Sequence, residues 1–186
     1  MEFFTYNLIL RSKYGKIYYM NQAFIDGQNL YMNTHNNGWD VDLVRFRVYL
    51  REKYKVEKAY YFLGAVDDGN QGLYELIQSA GFILVFREFN QEMISKKKGN
   101  VDTDIVFTML SKIIDKEKFD KIVLVSGDGD YFKTVKYLIG KNRFLKLFAP
   151  NRHSTSTLYR PFTPKYVSYL DAAGTKEKII LKKKRK

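Results

Sequence analysis

Four aspartates in this chain stand where carboxylates can do chemistry. Asp128 and Asp130 fall in KIVLVSGDGDYFKTVKYLIG, residues 121–140, where an apolar run gives way to an acidic turn with Gly127 and Gly129, then to a helical pattern. Asp26 closes a second apolar run, AFIDG, and Asp102 opens the helical pattern VDTDIVFTMLSKII. Carboxylates at the ends of parallel strands point into the crevice where open α/β sheets bind ligands. Like charges about 4 Å apart repel by roughly 4 kcal/mol at an effective dielectric near 20. A cluster of them therefore calls for a cation, a shared proton or a basic partner. Oxygen donors with room for water suit a hard divalent ion, Mg²⁺ or Mn²⁺, held by Asp26, Asp102 and Asp128. Zinc is disfavoured, because His35 and His153 are the only histidines, neither has ligand spacing, and there is no cysteine. A metal among carboxylates points to hydrolysis of a phosphodiester, with the cation polarising the phosphate and acidifying a water.

Each acid also has a plainer reading. Asp26 can cap a turn through local amides, with Gly27 letting the backbone turn sharply after the strand. Asp102 can compensate a helix dipole, but it precedes Ile105, Val106, Met109 and Ile113 at a spacing that shares their face, so it is expected to point inward. Asp104 lies about 200° around the helix from Asp102 and is expected to face solvent with Thr108 and Asp115. Asp130 can cap the helix that starts at Tyr131.

A strand of nucleic acid would need basic contacts, and Lys96, Lys97, Lys98, Lys133, Arg143 and Arg152 are the candidates, although each such residue is more often a solvated charge. The net charge of +12 favours a polyanionic partner, and residues 176–186 hold seven basic residues and one acid. That tail reads equally as a flexible nucleic-acid arm or a solubilising end. No segment is long and apolar enough to span a membrane, the N-terminus lacks signal-peptide character, and a reducing cytoplasm is the compatible location.

The elements that must position the acids follow from pattern. Strands are expected near residues 17–25, 56–63, 82–86, 122–125 and 144–148. Helices are expected near 40–53, 71–80, 102–115 and 131–139, with a weaker one at 156–170. Gly81 and Gly140 fall at C′ positions, and Asn100 is a natural N-cap for the third helix. Short continuous apolar runs alternating with helices imply a parallel sheet covered on both faces. The expected division is an N-terminal extension over residues 1–19, a domain over 20–172 and a basic flexible tail over 173–186. The extension reads either as a hairpin around Lys13-Tyr14-Gly15 or as sequence upstream of a true start at Met20. Residues 87–100 form a long loop of the kind that is often functional.

AFIDGQNLY, KGNVDTDIVFTML and KIVLVSGDGDYFKTVKYLIG, in that order, resemble the signature segments of the NYN domain, in the LabA-like branch of the PIN-like nucleases. The resemblance runs from about residue 21 to 172. It implies a Rossmann-like three-layer α/β/α fold with a central parallel sheet of about five strands in the order 3-2-1-4-5. It also implies a metal-dependent endoribonuclease, in which Asp26, Asp102, Asp128 and Asp130 are the acidic residues and Asn29 and Ser126 are polar supports. Relatives often carry a further acid six residues after the position of Asp102, where this chain has Thr108.

The alternative function is an RNA-binding module that cleaves slowly or not at all. An aspartyl phosphatase is disfavoured because Gln28 stands where a second acid is needed. A dinucleotide-binding enzyme is disfavoured because no Gly-x-Gly-x-x-Gly follows the first strand. A homodimer is left open.

Overall fold

The computed structural model describes residues 10–11, 17–18, 20–87 and 101–182. Two short strands, β1 (Leu10–Arg11) and β2 (Ile17–Tyr18), pair antiparallel, Leu10 with Tyr18 and Arg11 with Ile17. The turn between them lies outside the described residues. The strand expected over residues 17–25 is therefore two elements, because β2 pairs outside the main sheet. Six parallel strands form that sheet: β3 (Asn21–Asp26), β4 (Val56–Leu63), β5 (Ile83–Phe86), β6 (Ile122–Val125), β7 (Phe144–Ala149) and β8 (Val167–Tyr169). Their order is β5-β4-β3-β6-β7-β8. Counted within the sheet this is 3-2-1-4-5-6, the expected order with one strand added at the edge.

Alternation of side chains across the strands builds a core on each face. In β3, Ala23 and Ile25 face one way and join Val123 and Val125 of β6 under α1 (Gly27–His35), α2 (Leu43–Tyr54) and α3 (Gln71–Ser79), through Leu30, Phe46, Leu50 and Ile77. Phe24 faces the other way. It joins Ile122 and Leu124 under α4 (Val101–Ile114) and α5 (Phe132–Gly140), through Ile105, Met109, Val135 and Leu138. With both faces covered, the central strands read as unbroken apolar runs.

Four expectations change. Residues 27–35 form α1, not a turn. Gly27 is required there by close approach: a Cβ would lie 2.3 Å from Tyr61 Cε1 and 2.7 Å from the Phe62 carbonyl oxygen. The helix expected over 156–170 is a six-residue 3-10 turn, Thr157–Phe162, followed by β8. Pro161 offers no N–H to continue a helix, and Leu147 N–H reaches Tyr166 O at 2.7 Å to bring β8 alongside β7. Gly140 is the last residue of α5 and not its C′ residue; the left-handed residue beyond it is Asn142, at φ 56°. In the segment expected to be a flexible tail over residues 173–186, the described residues form α6 (Ala173–Ile179), with Ile179 fully buried in the α2 core and Ile180 bridged to Val41. The apolar pair in KEKIIL is what holds it down, since burial of such a side chain is worth about 1.5–3 kcal/mol.

Candidate acidic metal site

Strand order reverses between β3 and β6: the chain leaves β3 toward β4 and β5, then returns to build β6, β7 and β8 on the other side. Ligands of open α/β sheets bind at such a switch point, beyond the C-terminal strand ends. Asp26 ends β3 there, and Ser126, Gly127 and Asp128 follow β6.

Asp26 is buried, at 5% exposure. Its Oδ1 accepts from Asn29 N–H at 2.9 Å, which caps α1. Its Oδ2 accepts from Ser126 Oγ at 3.4 Å and from Tyr131 Oη at 3.2 Å. The turn after β6 is tied to the same group. Gly127 N–H donates to Asn29 Oδ1 at 2.9 Å, and Asp128 N–H donates to Ser126 Oγ at 3.1 Å. Asp128 Oδ1 caps the following 3-10 turn, Gly129–Tyr131, by accepting from Asp130 N–H at 3.0 Å. Tyr159 Oη donates to the Asp128 carbonyl at 2.6 Å.

Helix α4 supplies Asp102 from its first turn, half-buried, on the face that carries the fully buried Ile105 and Met109. The inward expectation for Asp102 matches this placement. Tyr131 Oη makes a short contact with Asp102 Oδ1. One hydroxyl proton thus faces two carboxylates, Asp26 and Asp102. Burial first, then the Asp26 and Asp102 charges and their hydrogen bonds, push the Tyr131 phenol far up, so it remains a donor. Burial likewise raises Asp26 above its ordinary 3.8, with the Asp102 and Asp128 charges adding to it, while the Asn29 N–H and Tyr131 hydroxyl pull the other way.

One carboxylate oxygen each from Asp102, Asp128 and Asp130 lies within 4.8 Å of the other two. Asp130 is exposed and the other two are half-buried, so the group opens to solvent on one side. Three oxygen donors at this separation suit a hard cation with metal–oxygen distances near 2.1 Å after small side-chain movements, with waters completing an octahedron. The structure thus groups Asp130 with Asp102 and Asp128. Asp26, also expected as a ligand, is not one of those three; both of its oxygens accept hydrogen bonds, and it adjoins the group through the Tyr131 hydroxyl it shares with Asp102.

Other expected residues are placed as follows. Asn29 and Ser126 are the links between α1, Asp26 and the Asp128 turn. Lys133 is on the outer side of α5, along an open groove of about 610 Å³ with Lys136, Tyr137, Gly140 and Lys141. Arg152 borders a cleft next to the acidic turn. Lys96, Lys97, Lys98 and Asn100 lie outside the described residues. Arg143 is at the opposite edge of the sheet, where its carbonyl accepts from Ile122 N–H at the start of β6 and its guanidinium donates to Phe119 O; it cannot serve this site. Asp104 does not face solvent: its Oδ2 is buried without a hydrogen-bond partner among the described residues, because only Thr103 is exposed in this half-buried first turn. Thr108 is half-buried and donates to the Asp104 carbonyl at 2.7 Å. Nothing in the sequence marks Tyr131 and Tyr159 as site residues, since two tyrosines among 15 carry no mark of their own. The one available signal was the position of Tyr131 directly after the acidic turn.

A six-stranded parallel α/β sheet with an acidic group at its switch point defines a Rossmann-like architecture. The NYN domain family matches residues 22–170, and the chain belongs to that family, within the PIN-like nuclease superfamily. It is 29% identical over 164 residues to low amplitude and bright protein LabA of Synechococcus elongatus, covering 83% of this chain and 86% of that protein. A protein of unknown function from Vibrio parahaemolyticus shares the fold, with a TM-score of 0.69 at 20% identity over 88% of this chain and 98% of that one. Among the described residues, no helix is long and apolar enough to cross a membrane.

Proposed function

We propose that this protein is a metal-dependent endoribonuclease that hydrolyses RNA phosphodiester bonds at the acidic group. The observation that carries this reading is the convergence of Asp102, Asp128 and Asp130 oxygens within 4.8 Å at the switch point of the sheet. These three hold the ion, and Mg²⁺ or Mn²⁺ fits their oxygen chemistry. When bound, such an ion supplies Lewis-acid polarisation of a phosphate and makes water at that point more acidic.

The chain's own groups do the rest. Ser126 and Asn29 fix the Asp128 turn against β3, so the carboxylates are held before substrate arrives. Tyr131 keeps Asp26 and Asp102 side by side by donating to both. Asp26 caps α1 and accepts from Ser126 and Tyr131, tying the end of β3 to the acidic turn. The basic balance of the chain draws the RNA.

A binding module without catalysis is the second reading. Thr108 favours it: its hydroxyl is committed to the Asp104 carbonyl, at a position where the family resemblance implies a further acid. Incubation of the purified protein with end-labelled RNA separates the two. Internal cleavage in Mg²⁺ or Mn²⁺, abolished by chelation and reduced at least about 100-fold by Asp128→Asn, is the expected result. RNA bound but left intact in both ions establishes the binding module.

A further inference from the structure

Beside the acidic turn lies a cleft that the catalytic reading does not use. Its floor is a loop, residues 150–156, built around the buried Asn151, at 5% exposure. Asn151 Oδ1 accepts from His153 N–H at 2.7 Å and Ser154 N–H at 3.4 Å, and its carbonyl accepts from Thr155 Oγ1. The loop is fastened to the catalytic turn: Ser156 N–H donates to Gly127 O at 2.9 Å, and Tyr159 Oη donates to Asp128 O. Ser156 packs so closely on Gly129 that a Cβ there would lie 2.6 Å from its Oγ. The loop beside the cleft and the acidic turn are thus hydrogen-bonded and packed together.

Its chemistry is opposite to that of the acids. The cleft has a volume of about 360 Å³ and is lined chiefly by Arg152, Arg160, Thr155, Ser156, Tyr159 and Tyr169. The Arg152 guanidinium lies over the Tyr169 ring, 4.7 Å from its centroid. Asp171, the nearby acid, is engaged by the Arg152 backbone N–H at 3.3 Å. Neither Arg152 nor Arg160 makes an ion pair among the described residues. Two arginines outside any ion pair, hydroxyls and an aromatic plane are the groups that hold a phosphate and stack a base. The volume falls at the small end of the roughly 300–1,000 Å³ range of ligand clefts, which suits one nucleotide and not a duplex.

Building on the ribonuclease reading, we propose that this cleft is a subsite for one nucleotide of single-stranded RNA, adjacent to the phosphate that the acidic group acts on. Arg152 and Arg160 take the nucleotide's phosphate, and its base lies against the Arg152–Tyr169 stack.

The test uses the full chain carrying Asp128→Asn, so that RNA stays intact. Binding of a fluorescent twelve-nucleotide oligouridylate is followed by anisotropy over a salt series, and uridine 5′-monophosphate is titrated by NMR. Arg152→Ala with Arg160→Ala is compared with Arg51→Ala and Lys118→Ala, which remove the same charge from exposed positions elsewhere. The cleft pair is expected to raise the oligonucleotide Kd about tenfold or more and to lower the salt slope by about 0.7, one phosphate contact on a single strand. It also abolishes the monophosphate shifts around residues 152–160. The control pair stays within about twofold. Equal binding by the cleft and control pairs overturns the subsite, as does a parent that binds neither probe. The two readings fail separately. RNA cleaved by the unmutated protein with a dispensable cleft leaves the ribonuclease without the subsite. Cleft-dependent binding with no cleavage leaves the subsite without the ribonuclease.

Discussion

Tyr131 is the residue on which the acidic site turns. Its ring is fully buried and its hydroxyl lies between Asp26 and Asp102, so two carboxylates are offered one proton. Tyr131→Phe keeps the ring and removes the donor, leaving buried oxygens without it. Without divalent ions the variant is expected to lose about 1–3 kcal/mol of stability, read as a lower urea midpoint at unchanged slope. An unchanged midpoint would show that the hydroxyl does not hold the acids together. Residue types marked the acids well. Asp26, Asp102, Asp128 and Asp130 all come to the same edge of the sheet, and Asn29 and Ser126 support them. What sequence spacing did not convey was depth. Asp26 is buried and engaged as the cap of α1, a helix that no apolar periodicity announced: GQNLYMNTH buries only Gly27, Leu30 and Thr34.

At the scale of elements, α4 carries Asp102 in its first turn, and its far end is anchored by charge. Glu117, just beyond α4, accepts from Lys112 Nζ at 2.7 Å and from Gln22 Nε2 of β3 at 2.7 Å, with Lys58 of β4 at 3.4 Å. Burial pushes Glu117 up, but the hydrogen bonds from Lys112 and Gln22 and the charges of Lys112 and Lys58 outweigh it, so its pKa lies below the ordinary 4.5. A lowered carboxylate stabilises the fold above its unfolded pKa, and that contribution is lost as pH falls through the folded value. Glu117→Gln is therefore expected to cost up to about 1 kcal/mol at pH 7, given the partial exposure of the group. The difference from the parent should shrink as pH drops below 4.5 in urea titrations. A difference that persists undiminished at pH 3 would point to packing instead of charge. The central strands were legible as apolar runs, and α3, α4 and α5 by apolar residues at helical spacing; α2 lies where a helix is expected over 40–53. Residues 156–182 were not. There, β8 contributes three residues, the 3-10 turn carries a proline, and α6 is pinned by Ile179 among lysines, so tertiary contacts and not local pattern decide the structure.

The whole molecule joins two opposite demands. A chain of net charge +12 attracts a polyanion, yet places three carboxylates at the one edge where its sheet reverses direction. Family membership explains the arrangement of strands, and the fold shared with the Vibrio parahaemolyticus protein at 20% identity shows how little sequence it demands. Function depends on whether those carboxylates hold an ion in common. Anomalous diffraction from crystals soaked in Mn²⁺ measures this directly. A single peak within about 2.0–2.3 Å of oxygens from Asp102, Asp128 and Asp130, absent from Asp128→Asn crystals, is the predicted result. Crystals that show no manganese at the switch point, with the three side chains turned apart or paired to lysine or arginine, would contradict the account.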